Sequence, residues 1–183
     1  MNREAFDHAV RAAGAILGEN ELLVIGSQAL HASISTDLPS EAARSVEADI
    51  AALDDPHDYK ADLIDGAIGE ASTFHGTFGY YAQGVSKTTA VLPHGWENRL
   101  IRYETPNTNG VVAWCLEIHD LWISKAIASR PKDIEFCAAL VAHNYVKTNT
   151  LDRRLTDLAD IGEEKRAQLA RLIQRLTESD HSF

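Results

Sequence analysis

Residues 22–50, LLVIGSQALHASISTDLPSEAARSVEADI, decide how this 183-residue chain is read. Leu22-Leu23-Val24-Ile25 is an apolar run of strand length that breaks at Gly26-Ser27. The stretch closes on a second predicted strand, Val46 to Ala51, which carries Glu47 and Asp49. Side chains alternate along a strand, so these two carboxylates project to one side of a sheet. A Gly-Ser turn that opens a helix supplies backbone N–H groups, and facing such a carboxylate pair it suits a metal-bound triphosphate. Taken alone, the pattern favours the plainer reading, Gly-Ser as a tight turn and E-x-D as two solvated edge carboxylates.

Working outward, residues 2–18 are predicted to be an amphipathic helix, with Asn2 as its N-cap, Phe6, Val10, Ala13 and Leu17 on one face, and Gly18 as its stop. Gln28 to Ser33 reads as a helix behind the first strand, and Tyr59 to Ile68 as another. Ser72 to Gly76 reads as a break, followed by strands at Phe78 to Gln83, Thr88 to Leu92, Arg99 to Tyr103 and Val111 to Leu116. From Ile118 the pattern turns helical: His119 to Ser129, Lys132 to His143, one helix near 150–160, and one near 163–177 with Leu169, Leu172, Ile173 and Leu176 as its seam. Strands early and helices late predict an α+β chain. The expected division is a core over residues 1–117 and a helical C-terminal part over 118–183 packed upon it.

With 45% hydrophobic and 24% charged residues the composition is that of a globular chain, and no apolar run reaches a membrane span. The N-terminal MNREAFDHAV lacks the features of a signal peptide, so a cytoplasmic location is expected. A formal charge of −10 argues against broad non-specific nucleic-acid binding, yet a metal ion can still mediate nucleotide binding.

Lys125, Arg130, Lys132 and Asp133 lie in HDLWISKAIASRPKDIEF. Lys125 and Lys132 are two helical turns apart and share a face if the helix continues, placing a lysine to meet phosphate. The alternative is an ordinary charged junction between helices. Cys115-x₃-His119 and Cys137-x₅-His143 have spacings atypical of zinc sites and apolar surroundings, so buried structural cysteines and no zinc are expected. G-x-S-x-G, Walker and G-x-G-x-x-G motifs are absent.

The order VIGSQAL, SVEADI, IGEASTFHGTFGYYAQGV, LPHGWENRL and CLEIHDLWISKAIASRPKDIEF resembles small nucleotidyltransferase-like proteins related to AbiEii-type toxins, within the DNA polymerase β superfamily. The resemblance implies a nucleotidyltransferase fold, a short mixed β-sheet flanked by helices with a helical C-terminal part. It implies that Gly26 and Ser27 contact phosphate, that Glu47 and Asp49 are catalytic and hold Mg²⁺ (or Mn²⁺), and that Lys125 and Lys132 neutralise the triphosphate of an NTP. Transfer of a nucleoside monophosphate to RNA or protein, with a cognate antitoxin as partner, is the activity it implies. Two departures stand out. Glu47 replaces the usual Asp, and the region Tyr80 to Val91, where a third carboxylate belongs, holds no acid; Asp62, Asp65, Glu70 and Glu104 are the substitutes at hand. That gap keeps a non-catalytic binding module, or a partner protein, as the alternative, alongside an unrelated α+β domain.

Overall fold

The computed structural model describes residues 1–159 and 161–180. The chain divides into two compact units, one of residues 1–90 and 100–116, the other of residues 91–99 and 117–183.

The first unit is built on a five-stranded mixed sheet of order β3-β2-β1-β5-β4. Helix α1 (Arg3–Leu17) is capped by Asn2, whose side chain accepts from the Ala5 N–H at 2.9 Å, and ends at Gly18 with φ +67°. Its face of Phe6, Val10 and Ala13 is fully buried. β1 (Glu21–Val24) runs antiparallel to β2 (Glu47–Ala52) and parallel to β5 (Val112–Cys115). Between β1 and β2 lie a 3₁₀ turn at Ser27–Ala29 and two single-turn helices, α2 (Leu30–Ser33) and α3 (Ser40–Ala43). α4 (Tyr59–Ile68) and α5 (Thr73–Phe78) lead to β3 (Tyr81–Gly84), parallel to β2 at the sheet edge, while β4 (Ile101–Tyr103) forms the opposite edge antiparallel to β5. α4 packs so tightly on β3 that a Cβ added to Gly84 would lie 2.0 Å from the Ala61 carbonyl oxygen.

Several expectations need correction. The aromatic run read as a strand from Phe78 begins as helix instead: Ser72 caps α5 by accepting from the His75 N–H at 3.1 Å, and Gly79, at φ +75°, ends it before the strand starts. Ser72 to Gly76 is therefore a helix start, not a break. Thr88 to Leu92 forms no strand, because a local turn takes its polar groups: the Thr89 N–H donates to the Ser86 carbonyl at 3.0 Å, and the Ser86 and Thr88 hydroxyls meet at 2.9 Å. Gln28 to Ser33 is a 3₁₀ turn plus one α-turn, and Trp96–Arg99 is a 3₁₀ helix, so β4 starts at Ile101.

The second unit holds α6 (Ile118–Ala128), α7 (Pro131–Ala142), α8 (Thr148–Thr156) and α9 (Glu163–Asp180). Trp122, Leu121, Ile123, Leu140 and Leu151 are almost wholly buried, with Leu169, Leu172 and Ile173 of α9 closing the core. α6 and α7 are locked reciprocally: the Trp122 indole donates to the Cys137 carbonyl at 3.0 Å, and the Cys137 thiol reaches the Trp122 carbonyl at 3.5 Å. Burial pushes the thiols of Cys115 and Cys137 up. Among the described residues, no helix is long and apolar enough to cross a membrane.

Beneath α1 a polar network ties helix to sheet. Asp7, 2% exposed, accepts from the Tyr103 phenol at 2.5 Å and from the Thr105 hydroxyl at 2.7 Å. His31 stacks on Phe6 with ring centroids 5.1 Å apart, and its buried Nε2 has no hydrogen-bond partner. Burial first, then the Arg3 charge, lowers the imidazole from 6.5 to about 4. The folded state thus binds fewer protons than the unfolded, so stability from His31 is complete above pH 6.5 and is lost as pH falls toward 4. The loss should reach about 3 kcal/mol, and urea titrations across that range should show a flatter slope for His31→Gln than for the parent chain.

Candidate functional site

Strand β1 ends where Gly26 must turn the chain beside β2. The Ile25 N–H donates to the Asp49 carbonyl at 3.2 Å, one register step beyond the pair Val24–Ile50. Gly26 is extended, at φ −94° and ψ −170°, and its Cα lies against the Asp49 carboxylate. A Cβ there would stand 1.6 Å from Asp49 Oδ2, so only glycine fits without displacing the acid. Ser27 opens the 3₁₀ turn and is 8% exposed. The helical segment that follows keeps the expected extent but opens as a 3₁₀ turn and has a single α-turn, which leaves the site the N–H groups of a turn with little helix dipole behind them.

Alternation along β2 does put Glu47 and Asp49 on one face, both half-buried, with Ala48 and Ile50 buried on the other. Gly26, Ser27, Glu47 and Asp49 are thus brought together. Ser45 fixes the start of the strand, its hydroxyl donating to the Glu47 carbonyl at 3.1 Å and accepting from the Glu47 N–H at 3.2 Å. Gln28, fully buried, donates to the Ser45 carbonyl at 3.2 Å, which ties the turn to the approach of β2; its Oε1 has no partner.

The residues opposite the acids are Tyr81 and Gln83 of β3, in register with Glu47 and Asp49 respectively. The Tyr81 phenol donates to Glu47 Oε2 at 3.4 Å, and its ring lies 4.7 Å from that of His75. Burial, then the negative charges of Glu47, Glu70 and Asp49, push this phenol up to about 12, so it stays a neutral donor. Gln83 turns to Asp65, donating to its two oxygens at 3.0 and 2.9 Å, while the Gly84 N–H donates to Oδ1 at 2.7 Å. Asp65 therefore caps the outer edge of β3.

Of the four acids weighed as a third carboxylate, Asp65 is committed to that edge, Glu104 pairs with Arg102, Asp62 is exposed on α4, and Glu70 is the one whose field reaches Tyr81. Among the described residues, no group of three or more His, Cys, Asp and Glu could hold a metal ion. The oxygen pair Glu47 and Asp49 still fits a hard divalent cation that draws its remaining ligands from phosphate and water. Tyr81 and Gln83 escaped sequence reasoning because strand register is set by pairing, and Gln28 because its tie to Ser45 spans 17 residues; no local pattern encodes either.

The lysines lie in the second unit. α6 does not continue to Lys132: Ser129 adopts φ +57°, Arg130 is extended, and Pro131 starts a new helix, so Lys125 and Lys132 share no helical face. Lys125 pairs with Asp133 at 3.7 Å and lies 6.0 Å from the Phe136 ring centroid, whereas Lys132 is exposed. Asp133 also accepts from Arg130 at 2.6 and 3.2 Å; burial opposes its charge, but Arg130 and Lys125 prevail and hold its carboxyl below the usual range. Asp120, fully buried, pairs with Arg99 at 2.7 Å and Arg154 at 2.9 Å. Glu117 caps α6, and His119 accepts the Lys147 N–H at 2.9 Å. Much of the H-D-L-x-x-S-K-x-x-A-x-R-x-K-D run thus serves the joint between helices.

A family model described as nucleotidyltransferase of unknown function (DUF6036) matches residues 5–178. The chain belongs to this family. Comparisons with curated proteins and with solved structures return no match. Family membership covers both units, so the ion pairs of α6 and α7 lie within the family unit as much as the acidic pair of β2 does. Asp120→Ala, which strands two arginines around a vacated buried site, should cost about 3 kcal/mol in chemical denaturation. Lys132→Ala, at an exposed position, should change stability by less than about 0.5 kcal/mol.

Proposed function

We propose that this nucleotidyltransferase-family chain binds an NTP with Mg²⁺ (or Mn²⁺) at the Gly26-Ser27 turn and transfers its nucleoside monophosphate to a hydroxyl of RNA or protein, with pyrophosphate leaving. The observation that carries the proposal is the contact of Gly26 with the Asp49 carboxylate, with Glu47 on the same strand face. A glycine at that place lets a triphosphate approach backbone N–H groups and carboxylates at once. Glu47 and Asp49 would hold the cation. A bound cation of this kind neutralises phosphate charge and stabilises the oxygens that attack and leave. Tyr81, neutral and hydrogen-bonded to Glu47, orients that carboxylate, while Asp49 keeps its place because the turn closes over it. Lys125 and Lys132 are the proposed phosphate-neutralising cations; Lys125 would have to exchange Asp133 for phosphate.

A second reading is a binding module, or partner protein, without turnover. One observation favours it: Tyr81 and Gln83 stand opposite Glu47 and Asp49, where a further acid would serve an acceptor hydroxyl. The proposed setting, a toxin–antitoxin or abortive-infection system in the cytoplasm, rests on the motif resemblance to AbiEii-type toxins.

Titration calorimetry should show Mg²⁺-dependent, saturable NTP binding that falls at least tenfold in Glu47→Ala and Asp49→Ala. Gly26→Ala should lose as much while both carboxylates remain. Absence of NTP binding by the intact chain would refute the enzyme and the nucleotide-binding module, leaving only a partner protein. Asp49-dependent transfer of label from an α-labelled NTP to RNA or protein supports the enzyme, and binding without transfer supports the module.

A further inference from the structure

We propose that the outward face of α4, with the acidic turn before it, docks a basic amphipathic segment of a protein partner. α4 buries Ala61, Ile64 and Ile68 on its inner side. Its outer side is not the polar face expected of a helix that meets only water. Tyr59, Leu63 and Ala67, spaced four apart, form an exposed apolar stripe, with Tyr59 70% and Leu63 55% exposed. Leu53, 39% exposed just past the end of β2, adds to the solvent-facing apolar surface of this segment.

Acids flank the stripe. Asp54, Asp58 and Asp62 are exposed, and Asp58 and Asp62 stand one helical turn apart, a like-charge spacing that weakens a helix slightly. Asp55 is already used, accepting the N–H groups of Lys60 and Ala61 at 2.8 and 3.0 Å. The one base of this segment, Lys60, is drawn off to Glu19 at 2.5 Å and the Asp54 carbonyl at 2.7 Å. The sheet unit as a whole carries 15 acidic against 6 basic side chains, a net of −9, whereas the helical unit carries 12 against 11, a net of −1.

That charge selects the occupant. A second copy of the chain would set the same aspartates face to face, and a nucleic acid would meet them with its own phosphates. A segment with leucine-like residues on one side and Lys or Arg beside them buries the stripe and neutralises its border.

The test uses the full chain, isotope-labelled for amide NMR, and a synthetic helical Leu/Lys peptide of about 15 residues, long enough to hold a helix when docked. A Leu/Glu peptide of the same pattern is the control. The expected result is saturable binding of the Leu/Lys peptide alone, with shifts confined to residues 53–67. Tyr59→Ser with Leu63→Ser should weaken it about tenfold or more. Asp58→Asn with Asp62→Asn should weaken it too and flatten its salt dependence. The aspartate variant leaves the stripe intact, so it decides the matter if the apolar variant fails to fold. Unchanged affinity in the aspartate variant, equal binding of the Leu/Glu peptide, or shifts elsewhere would overturn the proposal. So would self-association of the chain that Leu63→Ser abolishes, since that would make a second copy the occupant.

Discussion

The contact between Gly26 and the Asp49 carboxylate constrains everything around the candidate site. It exists because β1 and β2 pair antiparallel in a register that sends the Ile25 N–H to the Asp49 carbonyl. The chain leaving β1 must then cross directly over the Asp49 side chain, with no room for a Cβ. Ser27, Gln28 and Ser45 secure the turn from the other side. A one-residue slip between the strands would turn both acids into the buried face and remove the site.

Burial separates the carboxylates of this chain into two groups. Asp7, Asp120 and Asp133 are 2%, 0% and 2% exposed, and each is met by several donors, as a buried charge must be. They are structural anchors: Asp7 ties α1 to the sheet, Asp120 ties α6 to α8, and Asp133 holds the joint of α6 and α7. Glu47 and Asp49 are half-buried on a sheet face, and Glu47 accepts from the Tyr81 phenol. The helix-joint residues show how a run that resembles a phosphate-binding motif can also be satisfied internally. Lys125 has an anionic partner already, and any phosphate would compete with Asp133 for it.

Local physics made much of the fold readable. The capped helix α1, the apolar run of β1, the alternation of β2, the boundary at Arg130-Pro131 and the seam of α9 each declare themselves within a few residues. The misreadings also have local causes. Phe78, Tyr80 and Tyr81 look like strand residues, but Ser72 and Gly79 cap a helix that takes in Phe78. Thr88 to Leu92 has strand-like composition, yet neighbouring hydroxyls and a turn hydrogen bond hold its start away from the sheet.

That Glu47 and Asp49 share a strand face, and that Gly26-Ser27 ends the strand before them, follows from residue order alone, because period-two alternation and a glycine break are local properties. The folded arrangement was needed to learn that the Gly26 backbone rests on Asp49, that Tyr81 and Gln83 stand opposite the acids, and that Asp65 is committed to the edge of β3. It alone showed that Lys125 is already paired with Asp133. Those facts depend on strand order, register and helix packing, which are set by burying apolar surface across residues far apart in the chain, and no short stretch of sequence carries them.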